Sequence, residues 1–157
     1  MKLKTFTVSF FGHRIISNAI ETEKRLEEII RRILKENEYT EFFVGREGEF
    51  DIIVSSVIRR VVKSCDYGNS SLILVMPYMK AEYRNNEQNF FDYYDEIEVC
   101  PQSEKVHFKS AITIRNKVMI DRSDLVISCI EHEYGGAYTA VKYAQKQNID
   151  IINIKVP

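Results

Sequence analysis

The sequence predicts an α/β fold: a Rossmann-like three-layer sandwich, with a mostly parallel sheet of about five to six strands and helices on both faces. Three observations predict it. Short apolar runs with β-branched residues recur, the clearest being SLILVM (71–76) and LVISCI (125–130). Their unbroken hydrophobicity suits strands covered on both faces. Between such runs, apolar residues fall at i, i+3, i+4 and i+7, the stripe of an amphipathic helix. Strand and helix alternate from end to end, and parallel strands require crossovers of that kind.

Taken in order, TFTVSFF (5–11) is the first strand and ends in Gly12-His13-Arg14. Ser17 and Asn18 supply helix-start chemistry, with Glu21 three residues after Asn18 as a capping box. The helix runs to about Asn37, with Leu26, Ile29, Ile30, Ile33 and Leu34 on one face. TEFFV (40–44) is the second strand, and a helix with Val54, Val57, Ile58, Val61 and Val62 inward follows. Asp66-Tyr67-Gly68-Asn69 ends that helix, with Gly68 suited to a left-handed cap. SLILVM is the third strand, closed by Pro77.

Residues 79–109 are the least regular, and their role is not evident. Residues 86–94 read as a short helix with Phe90, Phe91 and Tyr94 inward, 96–100 as a fourth strand, and 101–107 as a loop. Residues 111–122 then form a helix whose apolar face uses Ala111, Ile114, Val118 and Met119. After the fifth strand (125–130) comes a helix over 137–147, with Ala137, Ala140, Val141 and Ala144 inward. Residues 150–154 form the sixth strand.

The 157 residues suffice for one domain with a real core, and one domain over 1–157 is expected. Hydrophobic residues at 45% and charged residues at 29% are an ordinary globular balance. A net charge of −1 counts against a protein dominated by duplex nucleic acid. No apolar run approaches the ~20 residues of a membrane span, and the basic N-terminus lacks a signal-peptide core. A cytoplasmic protein with no membrane partner is therefore expected. Cys65, Cys100 and Cys129 are widely spaced and odd in number, which argues against a zinc site or a disulfide framework. The three histidines lack ligand spacing, so no metal and no cofactor are expected.

A parallel sheet gathers its strand C-terminal ends on one edge, where ligands of such folds bind. Three loops arrive there with unusual chemistry. Gly12-His13-Arg14 offers close backbone approach and a cation for a phosphate or carboxylate. Gly45-Arg46-Glu47-Gly48-Glu49-Phe50-Asp51 offers carboxylates for ribose hydroxyls or acid–base work, though Asp51 also suits a helix N-cap. Tyr134-Gly135-Gly136, with Thr139 one turn on, exposes backbone N–H groups to a phosphate. Tyr134 either stacks on a base or sugar or merely covers the turn. Arg115 and Asn116 lie near the inner edge of their helix. Asp121 and Asp124 suit capping roles.

Several of these stretches resemble, in order, a known family. TVSFFGHR is similar to the opening signature of the SLOG superfamily, the Rossmann-like proteins related to Smf/DprA and the LOG enzymes. FVGREGEFD, LILVMPY, and RNKVMIDRSDLVISC followed by GGAYTAVKYA resemble its YpsA-like GHR branch, whose function is unknown. The resemblance covers nearly the whole chain. It implies a cleft for nucleotides or nucleotide-derived molecules, contacted by Gly12, Arg14, Gly45, Glu47, Asp51, Arg115, Gly135, Gly136 and Thr139. The LOG pattern PGGxGTxxE is only partly kept: its proline, third glycine and glutamate are missing, so cleavage by that route is not expected.

The leading expectation is a sensor or binding module for a nucleotide-like small molecule. The alternative is an N-glycosidase or transferase with Glu47 or Asp51 as the catalytic candidates. Single-strand nucleic acid binding through Phe90, Phe91, Tyr93 and Tyr94 ranks last. Asp92, Asp95, Glu96 and Glu98 beside that cluster would repel phosphates, so nucleic acid is set aside as a partner. Homo-oligomers remain open, since relatives of this fold often self-associate.

Overall fold

The computed structural model describes residues 3–65 and 67–156. Six strands, β1 (Thr5–Gly12), β2 (Tyr39–Val44), β3 (Ser70–Met76), β4 (Glu96–Val99), β5 (Leu125–Cys129) and β6 (Asp150–Asn153), form one sheet. Its order is β4-β3-β2-β1-β5-β6, and every pairing is parallel. The α/β Rossmann-like expectation is thus met.

The helices are α1 (Ala19–Glu36), α2 (Glu49–Cys65), α3 (Ala81–Asn85), α4 (Glu87–Tyr93), α5 (Phe108–Asp121) and α6 (Gly136–Lys146). Strand residues alternate between the two faces, as period-two geometry requires. Val8, Phe10, Phe42, Leu72 and Leu74 pack with α1 and α2 residues such as Leu26, Ile30, Val57 and Ile58. Phe11, Phe43, Ile73, Val75 and Val126 point the other way, onto Met119, Ile120, Ala140 and Ala144 of α5 and α6. At roughly 25 cal/mol per Å² of apolar area, these two cores supply the dominant favourable term of folding.

Local chemistry sets the helix ends. Asn18 caps α1, its side chain accepting from the Glu21 N–H at 3.4 Å. Asp66, expected in the turn that ends α2, lies outside the described residues, and Gly68 takes the left-handed φ of +61°. Asp51 is not an N-cap. The helix starts at Glu49, and the Asp51 carboxylate reaches back to the Glu47 N–H at 2.9 Å.

Two further expectations are corrected. Residues 81–93 form two short helices, and Phe91 is 56% exposed while Phe90 and Tyr94 are buried. The i, i+4 spacing that buries Phe90 and Tyr94 turns Phe91 about 100° away from them. In α5 the buried stripe is Ala111, Arg115, Asn116, Met119 and Ile120, with Ile114 and Val118 only half-buried. Polar side chains hold inward positions there because Arg115 and Asn116 line the strand-end cleft. No described helix is long and apolar enough to cross a membrane.

β1 and β5 pair from Val8↔Leu125 to Gly12↔Cys129. Sheet growth reverses between them: β2, β3 and β4 extend one way from β1, and β5 and β6 extend the other. The loops leaving β1 and β5 therefore diverge to opposite faces and leave a crevice at their carboxyl ends.

A repeated aspartate clamp fixes the amino ends of neighbouring strands. The Asp124 carboxylate accepts from Thr7 N–H and its own N–H donates to Thr7 C=O, each at 2.8 Å. Asp95 does the same to Leu72, at 2.7 and 2.9 Å. Asp124→Ala and Asp95→Ala should each lower stability by about 1 kcal/mol, since each leaves a strand N–H without its acceptor. The clamps join β1 to β5 and β3 to β4, three strand spacings or roughly 14 Å apart, so urea denaturation of the double variant should give the sum within about 0.5 kcal/mol.

Candidate functional site

The crevice holds a cavity of about 500 Å³. Gly12, His13 and Arg14 enter from β1, and Gly45, Glu47, Gly48 and Asp51 from the loop after β2. Lys109, Arg115, Asn116 and Met119 come from α5, and His132, Tyr134, Gly135 and Gly136 from the loop after β5. The three glycine turns singled out in the sequence thus meet at one place. Two singled-out residues do not join them. Arg46 turns away, pairing with Glu82 at 3.0 Å and donating to the Tyr94 hydroxyl at 3.2 Å. Thr139 is exposed one turn into α6, its hydroxyl donating to the Gly135 carbonyl at 3.0 Å.

The cavity floor is an ionic cluster. Arg115 is 3% exposed. Its Nη1 donates to Glu47 Oε1 at 3.1 Å and to the Val75 carbonyl at 2.7 Å, and its Nε donates to Asn116 Oδ1 at 3.0 Å. Lys80 Nζ approaches the same Glu47 oxygen at 3.5 Å. The other Glu47 oxygen accepts from the Arg46 N–H at 2.9 Å. The loop can fold back this tightly only because residue 45 has no side chain. A Cβ there would run into the Glu47 carboxylate and stand 3.1 Å from Asp51 Oδ2. Asp51 keeps part of its surface toward the cavity while its carboxyl group is desolvated.

The two carboxyls are driven apart. Burial disfavours charge on both. For Glu47, the Arg115 guanidinium, its hydrogen bond and Lys80 outweigh burial and bring the pKa down to about 2. For Asp51, burial and the adjacent Glu47 charge raise it to about 7. Near neutral pH Glu47 holds a firm negative charge against Arg115 and Lys80, and Asp51 is close to half-protonated.

The cavity rim includes two cationic side chains, Arg14 and Lys109, both exposed. Glu49 N–H donates to the Arg14 carbonyl at 2.9 Å and Ile16 N–H donates to the Glu49 carboxylate at 3.2 Å, tying the β1 loop to α2. Gly135 opens α6 with φ +93°, a value only glycine adopts without strain, and so turns the chain from the β5 loop into the helix.

His13 is 7% exposed, and its Nε2 accepts from the Glu131 N–H at 3.0 Å. Burial and the neighbouring His132 lower its pKa against the raising effect of Glu131, so the ring stays neutral with its proton on Nδ1. His132 and Lys109 were not anticipated as cavity residues. The apolar strand two residues before His132 was the available signal for it. Lys109 gave no signal, because the sequence starts the helix at 111 whereas α5 begins at Phe108.

No family model matches the chain, and no curated protein matches it. Solved structures do. DNA processing protein A (DprA) from Streptococcus pneumoniae superposes with a TM-score of 0.68 at 16% identity, over 98% of this chain and 51% of that one. DNA processing protein A from Helicobacter pylori, studied for its unique single-stranded DNA binding mode, gives 0.65 at 17% identity, over 93% and 63%. The likeness shows a shared fold, and the chain spans between half and two thirds of the length of these structures. It also corrects one expectation: setting nucleic acid aside as a partner does not stand, because a protein of this fold binds single-stranded DNA. The physical reason is that the acidic residues behind it, Asp92, Asp95, Glu96 and Glu98, do not line the strand-end cavity, and a net charge of −1 averages the whole surface and says nothing of one edge.

The carboxyl pair gives a signed pH dependence. Between about 4 and about 7 the folded state holds the Asp51 proton that the unfolded chain, with an ordinary value of 3.8, has released. Stability therefore falls as pH rises through that window. Glu47 acts in the opposite sense below it: its contribution is complete above 4.5 and is lost as pH drops toward about 2. From pH 5 to 8 the melting temperature should fall by about 5–10 °C, and Asp51→Asn should remove most of that fall. Thermal denaturation across the pH series checks it, and an equal slope in the variant would refute it.

Proposed function

We propose that the chain binds single-stranded nucleic acid across the carboxyl ends of β1 and β5, with one nucleotide entering the cavity. The observation that carries this reading is the meeting of three glycine turns around one crevice rimmed by Arg14 and Lys109. Exposed cations beside a helix N-terminus suit phosphates. The aromatic and apolar rim residues suit bases, which every sequence presents as flat π-faces. The single-stranded DNA binding of a protein with the same fold supports the reading.

A second reading has its own support. A cavity of about 500 Å³ with Glu47 and Asp51 on its floor has the size and polarity of a small-molecule site. A free nucleotide or nucleotide-derived molecule, with its ribose toward the carboxyls, would fill it. The resemblance of GHR, GREGEFD and GGAYT to the YpsA-like branch of the SLOG superfamily supports a ligand at the same place.

Titration of a labelled oligonucleotide at increasing salt separates the two. Binding should weaken with a slope that reports the phosphates engaged. Arg14→Ala should reduce affinity about 5–10-fold and lower the slope by about 1. Binding of nucleoside monophosphates with no oligonucleotide binding at any salt would favour the second reading.

A further inference from the structure

The β1 and β5 loops build a column of three near-parallel rings. His13 lies at the bottom, buried, its orientation fixed by the Glu131 N–H. His132 stacks on it with ring centroids 3.6 Å apart and planes at 18°. Tyr134 stacks on His132 at 3.8 Å and 19°. These spacings are close to the ~3.4 Å rise between stacked bases. Tyr134 is nevertheless 69% exposed, and no other described aromatic ring covers it. A tyrosine that only sealed the turn would lie against apolar side chains. This one rests its face on an imidazole and leaves surface to solvent beside the cavity, just before α6 begins.

A second ring is mounted in a similar way. Phe108, 59% exposed, opens α5 and stacks on His107 at 4.6 Å and 28°. Helices α5 and α6 pack together and both start at the strand carboxyl ends, so two histidine-backed rings stand at the same sheet edge. By contrast, Phe90 and Tyr94 of the 90–94 cluster are buried, and Tyr93 lies beneath the Arg59 guanidinium at 4.1 Å.

We propose that the open face of Tyr134 is a base-stacking platform for single-stranded nucleic acid, with Phe108 as a second platform. This rests on the nucleic-acid reading above and deepens it by assigning base contact to the ring column and phosphate contact to Arg14. The column is preorganised: His132 and His13 hold Tyr134 in place before a base arrives, so little side-chain entropy remains to be lost on binding. Stacking of this kind tolerates any base sequence.

The test is fluorescence anisotropy with labelled oligo-dT of about 20 nucleotides, long enough for a site of one fold. Tyr134→Ala should weaken binding about 5–150-fold, the factor that corresponds to the 1–3 kcal/mol of one stacked base. Tyr134→Trp should restore it. The salt slope of Tyr134→Ala should match the unaltered protein, whereas Arg14→Ala lowers it. With an oligomer abasic throughout, Tyr134→Ala and the unaltered protein should bind equally. Oligo-dT binding that Tyr134→Ala leaves intact overturns the platform and spares the nucleic-acid reading. An equal loss on the abasic strand also overturns the platform alone. Failure of the unaltered protein to bind oligo-dT overturns both, as does Tyr134-dependent binding of a nucleoside monophosphate without oligomer binding.

Discussion

A guanidinium group drawn out of water is the constraint on which the strand-end architecture depends. Arg115 sits where the pattern of α5 calls for an apolar residue, and it must be paired in place, because an unmatched buried charge costs several kcal/mol. Its partners come from three stretches far apart in the chain: the carboxylate of Glu47, the carbonyl of Val75, and the amide of its neighbour Asn116. Satisfying one side chain thus fixes α5 against the β2 loop and the end of β3. The same pairing holds Glu47 ionised, and burial together with that fixed charge raises the Asp51 carboxyl to about 7. Charge, loop shape and cavity floor are therefore one linked arrangement. The bare backbone at Gly45 is what lets it close.

The rim is built on another principle. The floor is ionic and internally satisfied, whereas the rim presents unpaired chemistry: the exposed Arg14 and Lys109, the outer surface of Tyr134, and the start of α6. A floor that spends its charges on itself contributes shape and polarity more than net attraction. Attraction is left to the rim, where screening by salt is felt most.

Much of the framework was legible in the sequence. Runs such as SLILVM and LVISC are apolar save for one serine each, a pattern that suits a doubly covered strand. The glycine turns were legible because each lies where a strand gives way to a helix. Misreadings arose where function displaces the usual pattern. The α5 stripe was misplaced because Arg115 and Asn116 occupy inward positions that periodicity reserves for Ile114 and Val118. Arg46 was drawn into the site by its neighbours in sequence, although the carboxylate that pairs with its guanidinium, Glu82, lies on a different element. The ring column was invisible because His13 and Tyr134 are over a hundred residues apart and meet only through the β1–β5 register. Nucleic acid was discounted on acidic neighbours of an aromatic cluster of which Phe90 and Tyr94 prove to be core.

The central position of β1 has a consequence for how the chain is made. One flank of β1 pairs with β2, beginning at Thr5↔Tyr39, while the other waits for Leu125 to reach Val8. During synthesis from the N-terminus, four strands can assemble with an unpaired border at β1 while some thirty further residues are still to emerge, roughly 2–6 s at ordinary elongation rates. That border is the future crevice wall. A nascent chain folded to that stage leaves the second edge of its central strand uncovered, and the late arrival of the fifth strand closes that edge and brings the crevice's other wall with it.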